Sequence, residues 1–341
     1  MISAAYVGDR TMRIEDVVPA PPAPGQVQIR VAYVGICGTD LHIVHGAMDA
    51  RVSLPAVIGH EMSGVVHEVG EGVADWAVGD RVTVMPLDWD DTCPACLAGH
   101  RHICHNLDFV GIDSPGAMQG LWNVRADLLL ALPESLRLDH AALVEPVAVA
   151  VHDVRRGAVR PGDRVVVLGG GPIGVLIAVV ARETGAEVTV VEPDAGRRAT
   201  VESLGLATVD PRADDVVTRI EGWTDGAGAD VVLEVSGAPS AVLSATALAK
   251  VRGTVVVVAI HPQPTAVDLK QVFWRELTIV GARVYERADF ERAVELLDRG
   301  VVPAEALITE VRPLTDVAAA FTTLEQGDAM KILLDCGAGA Q

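Results

Sequence analysis

The stretch 164–194, RVVVLGGGPIGVLIAVVARETGAEVTVVEPD, decides the fold. It reads as an apolar strand, a glycine turn, an apolar helix and a second strand. At the turn, Gly169-Gly170-Gly171-Pro172-Ile173-Gly174 supplies G-x-G-x-x-G. Gly169 allows the tight turn, Gly171 lets the backbone approach a pyrophosphate, and Gly174 lets the helix pack on the strand. The unpaired N–H groups at the helix start then face the phosphates. The second strand ends at Glu192, inside the window where an acid binds the adenosine ribose hydroxyls. Strand, loop, helix and acid together separate this stretch from an ordinary glycine turn beside a surface charge. Glu192 would repel a 2′-phosphate, so NAD is expected rather than NADP. Arg197 and Arg198 work against that preference, since either can stack on adenine or pair with a phosphate.

Outward from this unit, further short apolar strands follow: ADVVLEVSG, GTVVVVAI and LTIVGARV. Helix-like stretches lie between them, and the alternation indicates a parallel sheet with crossover helices. Residues 1 to about 135 read differently, as short Val-rich strands separated by Gly, Asp and Pro turns. After Glu286 a helix (DFERAVELLDRG) and a closing strand (KILLDC) remain. They are too little for a domain, so they are expected to return to the first one. The expected organisation is therefore α/β, with a doubly wound nucleotide-binding domain over 148–285 and a β-rich domain from 1–147 and 286–341.

The bulk numbers agree with this plan. The chain has 341 residues, half of them apolar, which is enough for two domains with cores. A formal charge of −19 argues against nucleic acid or anionic lipid as a partner, because phosphates would be repelled. No basic region followed by an apolar core opens the sequence, so no signal peptide is expected. The longest uncharged apolar run, Val165–Ala181, is short for a membrane span and is broken by glycines and a proline. Five cysteines, three of them clustered, suit thiols or metal sites in a reducing cytoplasm better than a disulfide framework.

Chemistry-bearing residues concentrate in the β-rich part. GICGTDLH holds Cys37, Thr39, Asp40 and His42; IGHEMSG adds His60 and Glu61; LVEPVAVAVH adds Glu145. Cysteine, histidine and carboxylate are the ligand types of a catalytic zinc that keeps one position open. Singly, each has an ordinary structural role available to it. A second cluster, Cys93, Cys96 and Cys104, has metal-ligand spacing but needs a fourth donor. By local spacing His100 is a fair candidate, three residues inside both Cys96 and Cys104. His102 is poorer, and His102 and His105 read as exposed loop histidines.

In order along the chain, GICGTDLH, GHEMSGVVHEVGEGV, VGDRV, the cysteine cluster, EPVAVAVH and GGGPIG resemble the zinc-dependent medium-chain alcohol dehydrogenases. Glu61 after His60 and the segment EPVAVAVHDVRRG look most like the sorbitol (polyol) and 2,3-butanediol branch, and the tail ELTIVGARVYERADFERAVELL leans toward the butanediol side. The resemblance covers nearly the whole chain. It implies a GroES-like catalytic domain joined to a Rossmann domain, usually in a homodimer or homotetramer. It makes Cys37 and His60 zinc ligands, with Glu61 and Glu145 completing or exchanging within the shell. Asp40 would orient the ligating histidine, Thr39 would take the substrate proton, and His42 would pass it to solvent. Zinc would act as a Lewis acid on a secondary alcohol (polyol, sugar alcohol or vicinal diol), with hydride passing reversibly to NAD. The same resemblance implies a structural zinc whose ligands are separated by two, two and seven residues. Counting back from Cys93 lands on Asp90, so Asp90 is the expected fourth ligand, with His100 as the alternative.

Two other functions compete. CGTDLHI is also similar to threonine dehydrogenases, which oxidise a 3-hydroxy amino acid. A catalytically silent nucleotide-binding protein on the same fold is disfavoured because Cys37, His60, Glu61 and Glu145 are all present. One departure stands out: where relatives read roughly GGFAEY this chain has QGLWNV, which places Trp122 at a usually small position. Trp122 therefore either lines the substrate pocket or packs in the core.

Overall fold

The computed structural model describes residues 1–327 and 329–337. Asp328 and residues 338–341, part of the C-terminal return expected for the first domain, lie outside it. The chain divides into two compact units. One comprises Met1–Glu145, Glu286–Gly300 and the chain from Ala304 onward; the other comprises Pro146–Tyr285 and Val301–Pro303.

The second unit is a six-stranded parallel sheet. Its strands run in the order Ala207–Val209, Glu187–Val191, Arg164–Leu168, Ala229–Glu234, Ala249–Val257 and Thr278–Gly281. The strand read first in the sequence is thus central, with chain order reversing on either side of it. That reversal is where doubly wound sheets bind ligands, beyond the carboxyl ends of the strands. Val165, Val166, Val167 and Leu168 are all buried, as a continuous apolar run requires when helices cover both faces. The helix Pro172–Glu183 is buried on every side from Gly174 to Ala181, which explains why its sequence is apolar all round.

The first unit is built on a largely antiparallel sheet in which Gln26–Gly35 is the organising strand. It pairs with Glu61–Val69 on one side. Its other edge is shared, Gln26–Arg30 pairing with Leu121–Arg125 and Tyr33–Gly35 with Leu333–Asp335. The closing strand Lys331–Asp335 therefore returns to the first unit. It is joined there by a parallel strand, Ile308–Pro313, and a helix, Val317–Gln326, neither of which the sequence reading placed. Ile308–Pro313 sits at the sheet edge with every second residue exposed, so its sequence, ITEVRP, carries no continuous apolar run to mark it.

The position of Trp122 is decided by the same sheet. It lies on Leu121–Arg125 opposite Ile29, is 2 % exposed, and donates its indole N–H to the Pro115 carbonyl at 2.9 Å. It is a core residue, with its polar edge satisfied as a buried indole needs. Trp122→Phe should therefore cost about 1–2 kcal/mol of stability in denaturant unfolding, from the lost hydrogen bond and volume, and leave KM unchanged. A shifted KM at unchanged stability would return Trp122 to the substrate pocket.

Candidate active site

Strand ends in the first unit deliver three potential metal donors to one place. Cys37 follows the strand Gln26–Gly35 and caps the helix Gly38–Val44; His60 and Glu61 open the neighbouring strand Glu61–Val69. One donor atom from each of Cys37, His60 and Glu61 lies within 4.8 Å of the others. Asp40, fully buried, ties the two loops together. Its Oδ2 accepts the backbone N–H of Cys37 at 2.9 Å, and its Oδ1 faces His60 Nδ1 at 3.8 Å. Neither Asp40 Oδ1 nor His60 Nδ1 has a hydrogen-bond partner among the described residues. The arrangement suits a ligating histidine whose second nitrogen is steered by a carboxylate.

The electrostatics also suit a cation. Burial, followed by the charge of Glu61, pushes the Cys37 thiol up. Burial raises Asp40 to about 6, against the opposing pull of His60. Burial works against a protonated His60, but Asp40 and Cys37 outweigh it and hold the ring well above its ordinary value. Cys37 and His60 therefore hold protons that a divalent metal ion would displace. A metal with a thiolate, an imidazole and a carboxylate, and one position free, has the donor set of catalytic zinc.

Glu145, expected in the same shell, enters from the first turn of the helix Val144–Arg156. It is buried, and its charge acts on His60 and Lys331. It is not one of the three donors that converge. Thr39 stands in the first turn of the helix Gly38–Val44, half-buried, while His42, one turn on, is exposed. His42 lines a surface pocket with Arg10, Gly38, Leu41, His45 and Glu325.

The sequence reading missed Lys331. This lysine, 4 % exposed, donates from Nζ to Glu61 Oε2 at 2.6 Å and to the Ile36 carbonyl at 3.0 Å. The one available signal was a lysine opening the apolar run KILLDC, which reads by itself as a strand end at the surface.

In the second cluster, Asp90, Cys93, Cys96 and Cys104 bring one donor atom each within 4.8 Å. His100 is exposed and outside this set. Cys93 Sγ accepts the N–H groups of Cys96 and His105, both at 3.4 Å, and Cys104 Sγ accepts that of Asn106 at 3.3 Å. Such bonds favour thiolates. Asp90 is oriented by the N–H groups of Thr92 and Cys93 and by the Asn106 amide, which hold its carboxyl below the usual carboxylate range. Three sulfurs and one oxygen make a closed tetrahedral set.

In the second unit, Gly169 has φ +114°, a left-handed conformation that favours glycine. A Cβ at Gly174 would overlap the Gly169 carbonyl oxygen, so helix and loop approach as closely as the motif demands. Gly171 caps the helix Pro172–Glu183, with Pro172 at its first position. Glu192 is buried at the loop, accepting the Gly170 N–H at 2.6 Å and the Asp194 N–H at 2.8 Å. Each oxygen keeps a further lone pair for a hydroxyl donor. The two arginines separate: Arg198 is committed to the carbonyls of Glu192 and Pro193 and to Asp210 at 2.9 Å. Arg197 is exposed, and its guanidinium lies near Gly171.

Metal analysis checks both clusters. Wild type should carry one zinc at each; Cys37→Ala should lose the first, Asp90→Ala the second, and Asp90→Cys should keep both. A second zinc retained in Asp90→Ala and lost in His100→Ala would give the fourth place to the histidine.

Residues 23–134 match the alcohol dehydrogenase GroES-like domain, and residues 172–299 match the zinc-binding dehydrogenase family. The chain is 48 % identical over 99 % of both lengths to a 2-dehydro-3-deoxy-L-galactonate 5-dehydrogenase of Pseudoalteromonas atlantica. It is 34 % identical to a sorbitol dehydrogenase of Halalkalibacterium halodurans, over 92 % of this chain and 93 % of that one. Among solved structures, a zinc-binding dehydrogenase from Sinorhizobium meliloti bound to NADP superposes with TM-score 0.93 at 31 % identity, covering 98 % of each chain. With full-length relatives of this kind, the chain belongs to the zinc-binding, medium-chain alcohol dehydrogenases, and it is an oxidoreductase that uses zinc and a nicotinamide cofactor.

Proposed function

We propose that the protein oxidises, reversibly and with NAD, a secondary hydroxyl of a sugar acid. The observation that carries the chemistry is the convergence of Cys37, His60 and Glu61 within 4.8 Å. The sugar-acid class is supported by the relative that acts on 2-dehydro-3-deoxy-L-galactonate, which is alike over essentially its whole length. Cys37, His60 and Glu61 would hold the zinc, with Glu145 in electrostatic reach; Asp90, Cys93, Cys96 and Cys104 would hold a structural one. When bound, zinc supplies a Lewis acid and the nicotinamide a hydride acceptor.

The chain's own groups move the proton. Thr39 Oγ1 accepts it from the substrate hydroxyl as it gives up its own proton, which the exposed ring of His42, one turn along the helix, passes to water. Asp40 would keep His60 oriented through its Nδ1 side. NAD is favoured by the buried Glu192 carboxylate, which would accept the ribose hydroxyls and repel a 2′-phosphate. Arg197, exposed and near Gly171, opposes that preference, whereas Arg198 is already committed.

The second unit also offers a self-association surface. Leu269, Phe273 and Trp274 are largely exposed on the helix Leu269–Arg275, and Ile279 is exposed on Thr278–Gly281, the edge strand of the sheet. An apolar patch beside an open strand edge supports a homodimer built there, of which a tetramer is a further assembly. No helix among the described residues is long and apolar enough to cross a membrane. No disulfide joins the five cysteines, four of which would be zinc ligands, and this supports a reducing compartment, the cytoplasm.

The test is NAD reduction by the zinc-loaded protein with 2-dehydro-3-deoxy-L-galactonate, sorbitol, 2,3-butanediol and L-threonine. The sugar acid should lead in kcat/KM by about tenfold or more, a difference of ~1.4 kcal/mol in transition-state binding. NADP should be the poorer cofactor, and Glu192→Ala should narrow that gap. A lead for L-threonine would favour the amino-acid reading, and zinc-loaded protein that turns over none of them would contradict the assignment.

A further inference from the structure

A lysine is almost never buried without a partner, and the proton-transfer scheme above has no use for Lys331. Its environment is built with some care. The register Leu333↔Gly35, together with the Ile36 N–H bonded to the Ile332 carbonyl at 3.1 Å, sets the start of this strand beside the end of Gln26–Gly35. The ammonium there grips the Ile36 carbonyl, one residue before Cys37, and Glu61 Oε2, one residue after His60. A single cation thus ties down both segments that carry metal donors. Gly35 makes the room: a Cβ at that position would overlap Glu61 Oε2.

We propose that Lys331 is a positioning residue of the Cys37–His60–Glu61 metal site. By occupying Glu61 Oε2, it leaves Oε1 as the oxygen available to the metal. A carboxylate with both oxygens free can close on zinc as a chelate and fill the position that a catalytic site must keep open for substrate. Held by the lysine, Glu61 binds through one oxygen and that position stays open. The ammonium also offsets one negative charge in a buried site that collects a thiolate and a carboxylate. The inference rests on the reading of these three residues as the zinc site.

Cobalt(II) in place of zinc reports coordination directly through its visible spectrum. Lys331→Met should bind Co(II) with a spectrum shifted toward higher coordination, while kcat in the zinc form falls about 10–100-fold, the range for losing a group that orients a ligand. Adding Glu61→Gln should return the spectrum toward the wild-type shape, because an amide cannot chelate through two oxygens. If Lys331→Met does not fold, Lys331→Leu, which likewise offers Glu61 Oε2 no donor, gives the same comparison. A Co(II) spectrum and kcat unchanged from wild type in whichever variant folds would overturn the proposal alone. Wild-type protein with no cobalt–thiolate band that Cys37→Ala removes would overturn the underlying zinc reading as well.

Discussion

The constraint on which the first unit depends is electrostatic. Cys37, Asp40, His60 and Glu61 all carry or exchange charge, and all but the half-buried Cys37 are buried from water. Burying such groups uncompensated costs more than their hydrogen bonds return. Compensation arrives in two ways. Asp40 is divided between the Cys37 N–H and the His60 ring, and Lys331 supplies a fixed positive charge to Glu61. A divalent metal ion supplies the rest when bound, replacing protons that the metal-free groups hold.

The sheet exists, in this sense, to bring distant segments to that charge cluster. The strand Gln26–Gly35 is the common partner: Glu61–Val69 lies along one edge and Lys331–Asp335 along the other. Cys37, Glu61 and Lys331 therefore emerge beside one another although they are drawn from both ends of the chain. The nucleotide loop in the second unit solves a simpler problem by local means. Its contacts, Gly170 to Glu192 and Gly174 against Gly169, lie within one βαβ segment, so their chemistry is continuous in sequence.

That difference explains what could be read in advance. The phosphate loop was legible because each glycine has its own steric reason within a few residues. The candidate metal donors stood out as residue types, but only the order of motifs along the chain joined Cys37 to His60 and Glu61. The role of Lys331 was not legible, since its partner lies 270 residues away and a lysine at the start of a strand normally faces solvent. Asp90 and His100 could not be separated by spacing, because only the folded turn sets Asp90 among the three cysteines and leaves His100 exposed. Trp122 was ambiguous because strand alternation offers either face, and the pairing with Gln26–Gly35 selects the core. The strand Ile308–Pro313 escaped notice for the opposite reason, as an edge strand with alternating exposed residues resembles a polar loop.

The central proposal is that one buried carboxylate, Glu61, is shared between a metal and Lys331. Diffraction from crystals of the zinc-loaded protein, recorded across the zinc absorption edge, tests it most directly. The predicted result is an anomalous peak bound by Cys37, His60 and a single oxygen of Glu61, with Lys331 Nζ on the other oxygen. A peak bound by both oxygens of Glu61 with Lys331 displaced, or no peak among these residues, would contradict it.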